Sequence, residues 1–155
     1  MPSETFLYMK LKAHLSRGPW ELLGGQPPSG TDHMPVLEIK AEFGGNRGSS
    51  DSFKPDLVAA VGLTVMVIEI KPTYDSTDVD KLWRFLNSTT RRINFARELQ
   101  QRGVELKPSL SWGQVTFRGA VAYAGPTGDS RGLATFSWVG DEDTGYFQEI
   151  NVGLD

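Results

Sequence analysis

Asp56, Glu69 and Lys71 are the residues of this 155-residue chain whose types and spacing best suit chemistry. They stand at the tips of two apolar runs, DLVAAV (56–61) and LTVMVIEI (63–70), where an unpartnered charge is costly. Glu69 and Lys71 are two apart, so in an extended strand they project from one face. A tight hairpin about Gly62 returns the end of the second run beside the start of the first, bringing Asp56 next to Glu69 and Lys71. Two hard carboxylates can hold Mg²⁺ or Mn²⁺ and leave coordination positions for water and a phosphate oxygen. The backbone carbonyl of Ile70, between the two side chains, is a further candidate ligand. A cation there would stabilise charge on a scissile phosphate and lower the pKa of a bound water. Lys71 would orient that water or stabilise the charged transition state. A purely structural reading competes: Glu69 and Lys71 as a strand-end ion pair, Asp56 as a turn residue after Pro55.

The elements that must position these groups follow from periodicity. Residues 3–17 predict a short helix, with Ser3 as cap, Leu7, Leu11 and Leu15 as its apolar stripe, and Gly18-Pro19 as its end. The Gly- and Pro-rich stretch 24–35 predicts an irregular loop. VLEIKAEF (36–43) alternates cleanly and predicts a strand, Leu37, Ile39, Ala41 and Phe43 on one face and Glu38, Lys40 and Glu42 on the other. After a flexible connection at 44–54, the runs 56–61 and 63–70 predict a hairpin buried on both faces. Helical signals return from Ser76 or Thr77 as cap to Gly103 as stop, with Val79, Leu82, Leu86, Ile93, Ala96 and Leu99 as the stripe and a kink at NSTT (87–90). A strand over 114–125, with Val115, Phe117, Val121 and Tyr123 on one face, precedes a closing hairpin across the acidic turn GDEDTG (140–145). The expected fold is α/β, a mixed sheet with helices packed on it.

Pro55-Asp56, twelve intervening residues, then Glu69-Ile70-Lys71 resembles the motif of the PD-(D/E)XK nuclease superfamily, which includes many restriction endonucleases, Holliday-junction resolvases and phage nucleases. The resemblance spans roughly residues 3–125 and implies an αβββαβ restriction-endonuclease-like core, to which the closing hairpin is an addition. It implies a Mg²⁺- or Mn²⁺-dependent nuclease, with Asp56 and Glu69 on the metal and Lys71 assisting the attacking water. The superfamily often adds an acid from the first helix or first strand. Glu4, Glu38 and Glu42 are the candidates, Glu42 favoured for its place beside the Gly-rich connection. His33 could supply a metal-binding nitrogen, as in some viral members, against the plainer reading of a loop histidine. The helix after the motif commonly lies over the catalytic edge, so Lys81 and Arg84 could contact the phosphodiester backbone. Against that stands a solvated face with Asp78–Lys81 and Asp80–Arg84 pairs. Trp83 and Trp112 could stack on bases, with core packing the competing reading. The QxxxY motif of the exonuclease branch is absent.

Composition bounds these readings. Hydrophobic residues make up 39% of the chain and charged ones 23%, as in ordinary globular proteins, and the length suits a single domain, 1–155. There are no cysteines, which excludes disulfides and thiolate metal sites and fits a cytoplasmic protein. No apolar run is long enough to span a bilayer, and the N-terminus lacks the features of a signal peptide. A net charge of −3 argues mildly against a dedicated nucleic-acid binder, but residues 78–102 carry six Lys/Arg against three acids. DNA is the expected substrate ahead of RNA. A chain this short is expected to cut with weak or structure-directed specificity, or to use a homodimer or a partner protein for recognition. Two rival expectations are a catalytically inactive module of the same fold and a protein-interaction domain.

Overall fold

The computed structural model describes residues 2–26, 34–40, 52–103, 114–126 and 128–153. A mixed sheet of six strands in the order β1-β2-β3-β4-β5-β6 carries helices on both faces, an α/β architecture. Helix α1 (Glu4–Arg17) leads, followed by β1 (Glu21–Gly25), β2 (Leu57–Val61) and β3 (Thr64–Ile70). Helices α2 (Ser76–Leu86) and α3 (Thr89–Gln101) follow, then β4 (Thr116–Ala124), β5 (Ala134–Val139) and β6 (Tyr146–Ile150). Strands β1 and β3 each run antiparallel to β2 between them, β4 runs parallel to both β3 and β5, and β6 closes antiparallel to β5. The β3–β4 crossover is filled by α2 and α3, as parallel neighbours require. The β4–β5 crossover is short because β5 starts beside Ala120, halfway along β4.

The hairpin forms as its sequence predicts. Gly62 turns at φ +55°, a left-handed value that glycine adopts without steric cost. Val61 then pairs with Thr64 and Leu57 with Ile68. Strand β3 is buried on both sides: Met66, Ile68 and Ile70 face the α1 layer, Val65 and Val67 the α2–α3 layer. Leu7, Leu11 and Leu15 bury the predicted stripe of α1, whose first turn is capped by Ser3 Oγ accepting from the Phe6 N–H at 3.1 Å. On the other face, Phe85 of α2, Phe95 of α3 and Phe117 of β4 meet with ring centroids 5.4–5.9 Å apart. Edge-on aromatic contacts of this kind add about 0.5–1.5 kcal/mol each beyond area burial. They hold α2 against the sheet, and so fix the residues of its first turns over the end of β3.

Four expectations need correction. The first strand is ELLGG (21–25), not 36–43. Glycine lets β1 run where a Cβ on Gly24 would lie 2.6 Å from Leu37 Cδ1 and 2.7 Å from the Pro35 carbonyl. Residues 34–40 are laid across the end of this strand rather than added to the sheet. Their alternation still buries Leu37 and Ile39, but only Ile39 pairs, in an isolated bridge with Phe53, and 41–43 lie outside the described residues. Helix α2 is capped by Asp75, not Ser76 or Thr77, its Oδ1 accepting from the Thr77 N–H at 2.9 Å. At Asn87–Ser88 the helix breaks instead of kinking, and Ser88 caps α3 through the Arg91 N–H. That break resets the helical phase: Arg91, Phe95, Glu98 and Leu99 turn inward while Ile93 is exposed. Gly103 ends α3 at φ +76°, as expected.

Candidate active site

The hairpin register sets the site. Because Leu57 lies opposite Ile68, the residue before one and the residue after the other, Asp56 and Glu69, face each other across the strand ends. Each carboxylate is tied to backbone of the opposite strand. The Ile70 N–H donates to Asp56 Oδ2 at 2.7 Å, and the Asp56 N–H donates to Glu69 Oε2 at 3.3 Å. Glu69 is buried and alternates with Val65 and Val67, so its carboxylate is directed toward α2. From there the Lys81 ammonium reaches Glu69 Oε1 at 3.1 Å. Lys81 also stands 3.9 Å from Asp78 Oδ1 and 5.0 Å from the centre of the Phe53 ring.

The electrostatics of the cluster come from two acids crowded into a poorly hydrated corner. Burial, then the Asp56 charge and a direct hydrogen bond to Asp56, push Glu69 up to about 8. Lys81 opposes this only in part. Burial also lifts Asp78 to about 6, against the pull of Lys71 and Lys81. Half-burial on its own would lower Lys71, but Asp78, Glu4, Asp56 and Glu69 together hold its pKa above the ordinary lysine value. Lys71 is therefore a firmly charged ammonium, suited to donating hydrogen bonds and not to removing protons.

Asp56, Glu69, Lys71 and Lys81 line a cleft of about 370 Å³ that also includes Glu38, Ser52 and Lys54. Glu38, expected on an exposed strand face, is buried, its N–H donating to Glu98 Oε2 at 3.3 Å. Glu4, in the first turn of α1, is electrostatically coupled to the site: burial and the Asp56 charge raise its pKa while Lys71 lowers it. Two of the three candidate extra acids thus belong to this corner, Glu38 as lining and Glu4 through its field. Glu42, His33 and Trp112 lie outside the described residues. Arg84 is exposed and does not line the cleft. Trp83 packs against the α2–α3-side core, its Nε1 buried and without a hydrogen-bond partner among the described residues. Asp80 pairs with Arg131 in the β4–β5 connection. The Asp78–Lys81 pair expected on a solvated helix face is present at 3.9 Å, but Asp78 is buried rather than solvated.

Among the described residues, no three acidic or imidazole side chains close on one point as a ready-made cage. That donor set still fits a hydrated Mg²⁺ or Mn²⁺, which is commonly held by one or two carboxylates and keeps several waters. The fit rests on two carboxylates facing each other in a buried corner, because a divalent cation between Asp56 and Glu69 would offset both the burial and the Asp56 charge that raise Glu69. Ile70 contributes to the same side: its N–H points at Asp56, and in extended chain a residue's carbonyl points the same way as its N–H. Among the described residues no helix is long and apolar enough to cross a membrane. No protein-family model, curated protein or solved structure matches the chain.

Proposed function

We propose that the chain is a metal-dependent nuclease of the PD-(D/E)XK type that hydrolyses DNA phosphodiester bonds. The observation that carries this reading is the register of the β2–β3 hairpin, which sets Asp56 opposite Glu69 at the mouth of a cleft that Lys71 also lines. Asp56, Glu69 and the Ile70 carbonyl would hold Mg²⁺ or Mn²⁺, with Glu4 or Glu38 in support. Bound there, the cation would supply charge stabilisation at the scissile phosphate and a more acidic water. Lys71, kept charged by its acidic neighbours, orients the attacking water and stabilises negative charge as it develops on the phosphate. Lys54 and Lys81 add positive charge to the same cleft, where a phosphodiester backbone would lie.

A second reading, a catalytically inactive module of the same fold that binds nucleic acid or protein, is favoured by one observation: the Lys81 ammonium already bonds Glu69. Cleavage of supercoiled plasmid and of single-stranded DNA in Mn²⁺ separates the two, comparing wild type with Lys71→Ala and Glu69→Ala. Cutting by the wild type alone supports the nuclease. Absence of cutting by all three, together with absence of Mn²⁺ binding in calorimetry, sinks it and leaves the ion pair as structure.

A further inference from the structure

On its helix face Lys81 is expected either to meet phosphate or to pair with Asp78, and its ammonium is drawn toward two carboxylates, Glu69 as well as Asp78. It bonds Glu69 Oε1 at 3.1 Å, and Asp78 Oδ1 lies only 3.9 Å from it. Both acids are buried and Lys81 is about a third exposed, so a cation held by rigid acids sits on a flexible four-carbon stem. Glu69 Oε1 is one of the oxygens a divalent ion would use, and one buried carboxylate cannot fully serve two cations a few ångströms apart. Asp78 differs from Glu69 in one respect that matters. It belongs to the same helix as Lys81, three residues earlier, and can keep the ammonium by a small rotation of the side chain.

Resting on the proposed metal site, the geometry points to Lys81 as a built-in competitor for divalent metal: its ammonium and the ion contend for Glu69, and Asp78 is the anchor that receives the ammonium when the ion wins. Lys81 in this role is a positioning residue that sets the threshold of metal occupancy. The displaced ammonium stays at the rim of the cleft, where it meets a phosphate oxygen of the substrate, so metal binding and substrate binding favour each other.

The measurement is calorimetric titration of the whole chain with Mn²⁺, without nucleic acid. Lys81→Met should bind Mn²⁺ about tenfold more tightly than wild type, and Lys81→Arg, which keeps the charge, should stay close to wild type. Asp78→Asn should bind several-fold more weakly, because the ammonium loses its alternative partner. In the Lys81→Met background the same Asp78→Asn change should have little effect, since the anchor has nothing left to receive. A merely structural Lys81–Glu69 pair gives the opposite sign, with Lys81→Met binding no better or worse than wild type, and that result overturns the competitor role while leaving the metal site standing. An Asp78→Asn effect that persists undiminished without Lys81 also overturns it. If neither wild type nor Lys81→Met takes up Mn²⁺, the metal site and the competitor fall together. Should Lys81→Met fail to fold, Lys81→Gln carries the same test.

Discussion

Asp56 and Glu69 hold each other's strand: the Ile70 N–H bonds Asp56 Oδ2 at 2.7 Å and the Asp56 N–H bonds Glu69 Oε2 at 3.3 Å. Beyond Leu57–Ile68 the β2–β3 ladder stops, and these side chains take over from backbone pairing. The two acids therefore have a structural duty besides the chemical one proposed for them, and each can be removed separately.

Asp56→Asn keeps an amide oxygen for the Ile70 N–H and loses the charge. Asp56→Ala loses both, leaving a partly buried donor unmatched at about 1–3 kcal/mol. The expected outcome is a melting temperature near wild type for Asp56→Asn and a clear drop for Asp56→Ala, with Mn²⁺-induced stabilisation abolished in both. Thermal melts with and without Mn²⁺ check this, and a full Mn²⁺ shift in Asp56→Asn would exclude Asp56 as a ligand.

In the proposed mechanism Lys71 acts as a charged ammonium and not as a metal ligand. Lys71→Ala should lower the cleavage rate about 10²-fold or more and leave Mn²⁺ affinity equal to or slightly above wild type. Single-turnover cleavage measured beside calorimetry reads both. Loss of metal binding in Lys71→Ala would mean that the ammonium organises the site instead of acting on the substrate.

The hairpin, and with it the meeting of Asp56 and Glu69, was legible because every local signal agreed: Pro55 before, Gly62 between, and aliphatic runs on either side. Residues 21–25 were not legible, because ELLGG is five residues long and its two glycines read as loop. What the glycines provide is room: Gly24 lets Pro35 and Leu37 lie against the strand, and Gly25 lets the Asp56 carbonyl do so. Conversely, 36–43 has a strand's alternation, and that pattern predicted the burial of Leu37 and Ile39 but not the partner they pack on. Period reports which side chains are buried; pairing depends on register with residues far away in sequence. The Asp78–Lys81 pair was legible as an i,i+3 spacing, whereas the contact of Lys81 with Glu69 was out of reach, since it depends on where α2 crosses the sheet.

Gly25 and Gly62 should fail differently when changed to alanine. A Cβ on Gly25 would lie 2.6 Å from the Asp56 carbonyl oxygen and 3.1 Å from Leu57 Cδ2. The Gln26 N–H bonds that same carbonyl at 3.0 Å, so β1 and Asp56 cannot separate without cost. Gly25→Ala should destabilise by about 1–3 kcal/mol through overpacking and also weaken Mn²⁺ binding, because Asp56 moves. Gly62→Ala meets no atom within 4 Å but must hold φ +55°. It should cost about 1–2 kcal/mol of backbone strain and leave Mn²⁺ affinity intact. Urea unfolding paired with Mn²⁺ titration distinguishes them, and equal affinities for the two variants would count against the role given to Gly25.

Asp78 supplies a pH signature separable from the metal site. It is 3% exposed, and burial raises its pKa to about 6 from 3.8, more than Lys71 and Lys81 lower it. A carboxyl raised on folding binds its proton more tightly in the native state. Its contribution therefore favours folding fully below 3.8 and is lost as pH rises through about 6. Above that range the buried charge costs on the order of 2–3 kcal/mol, offset by roughly 0.3–1 kcal/mol from its place in the positive first turn of α2. In buffer with EDTA, Asp78→Asn should accordingly be more stable than wild type at pH 7.5, with the gap shrinking as pH falls through 6 and closing near pH 4. Urea denaturation at half-unit pH intervals measures the difference curve. A gap that does not change with pH would show that Asp78 is not the group that titrates, and a wild type more stable at pH 7.5 would show that Lys71 and Lys81 outweigh its burial.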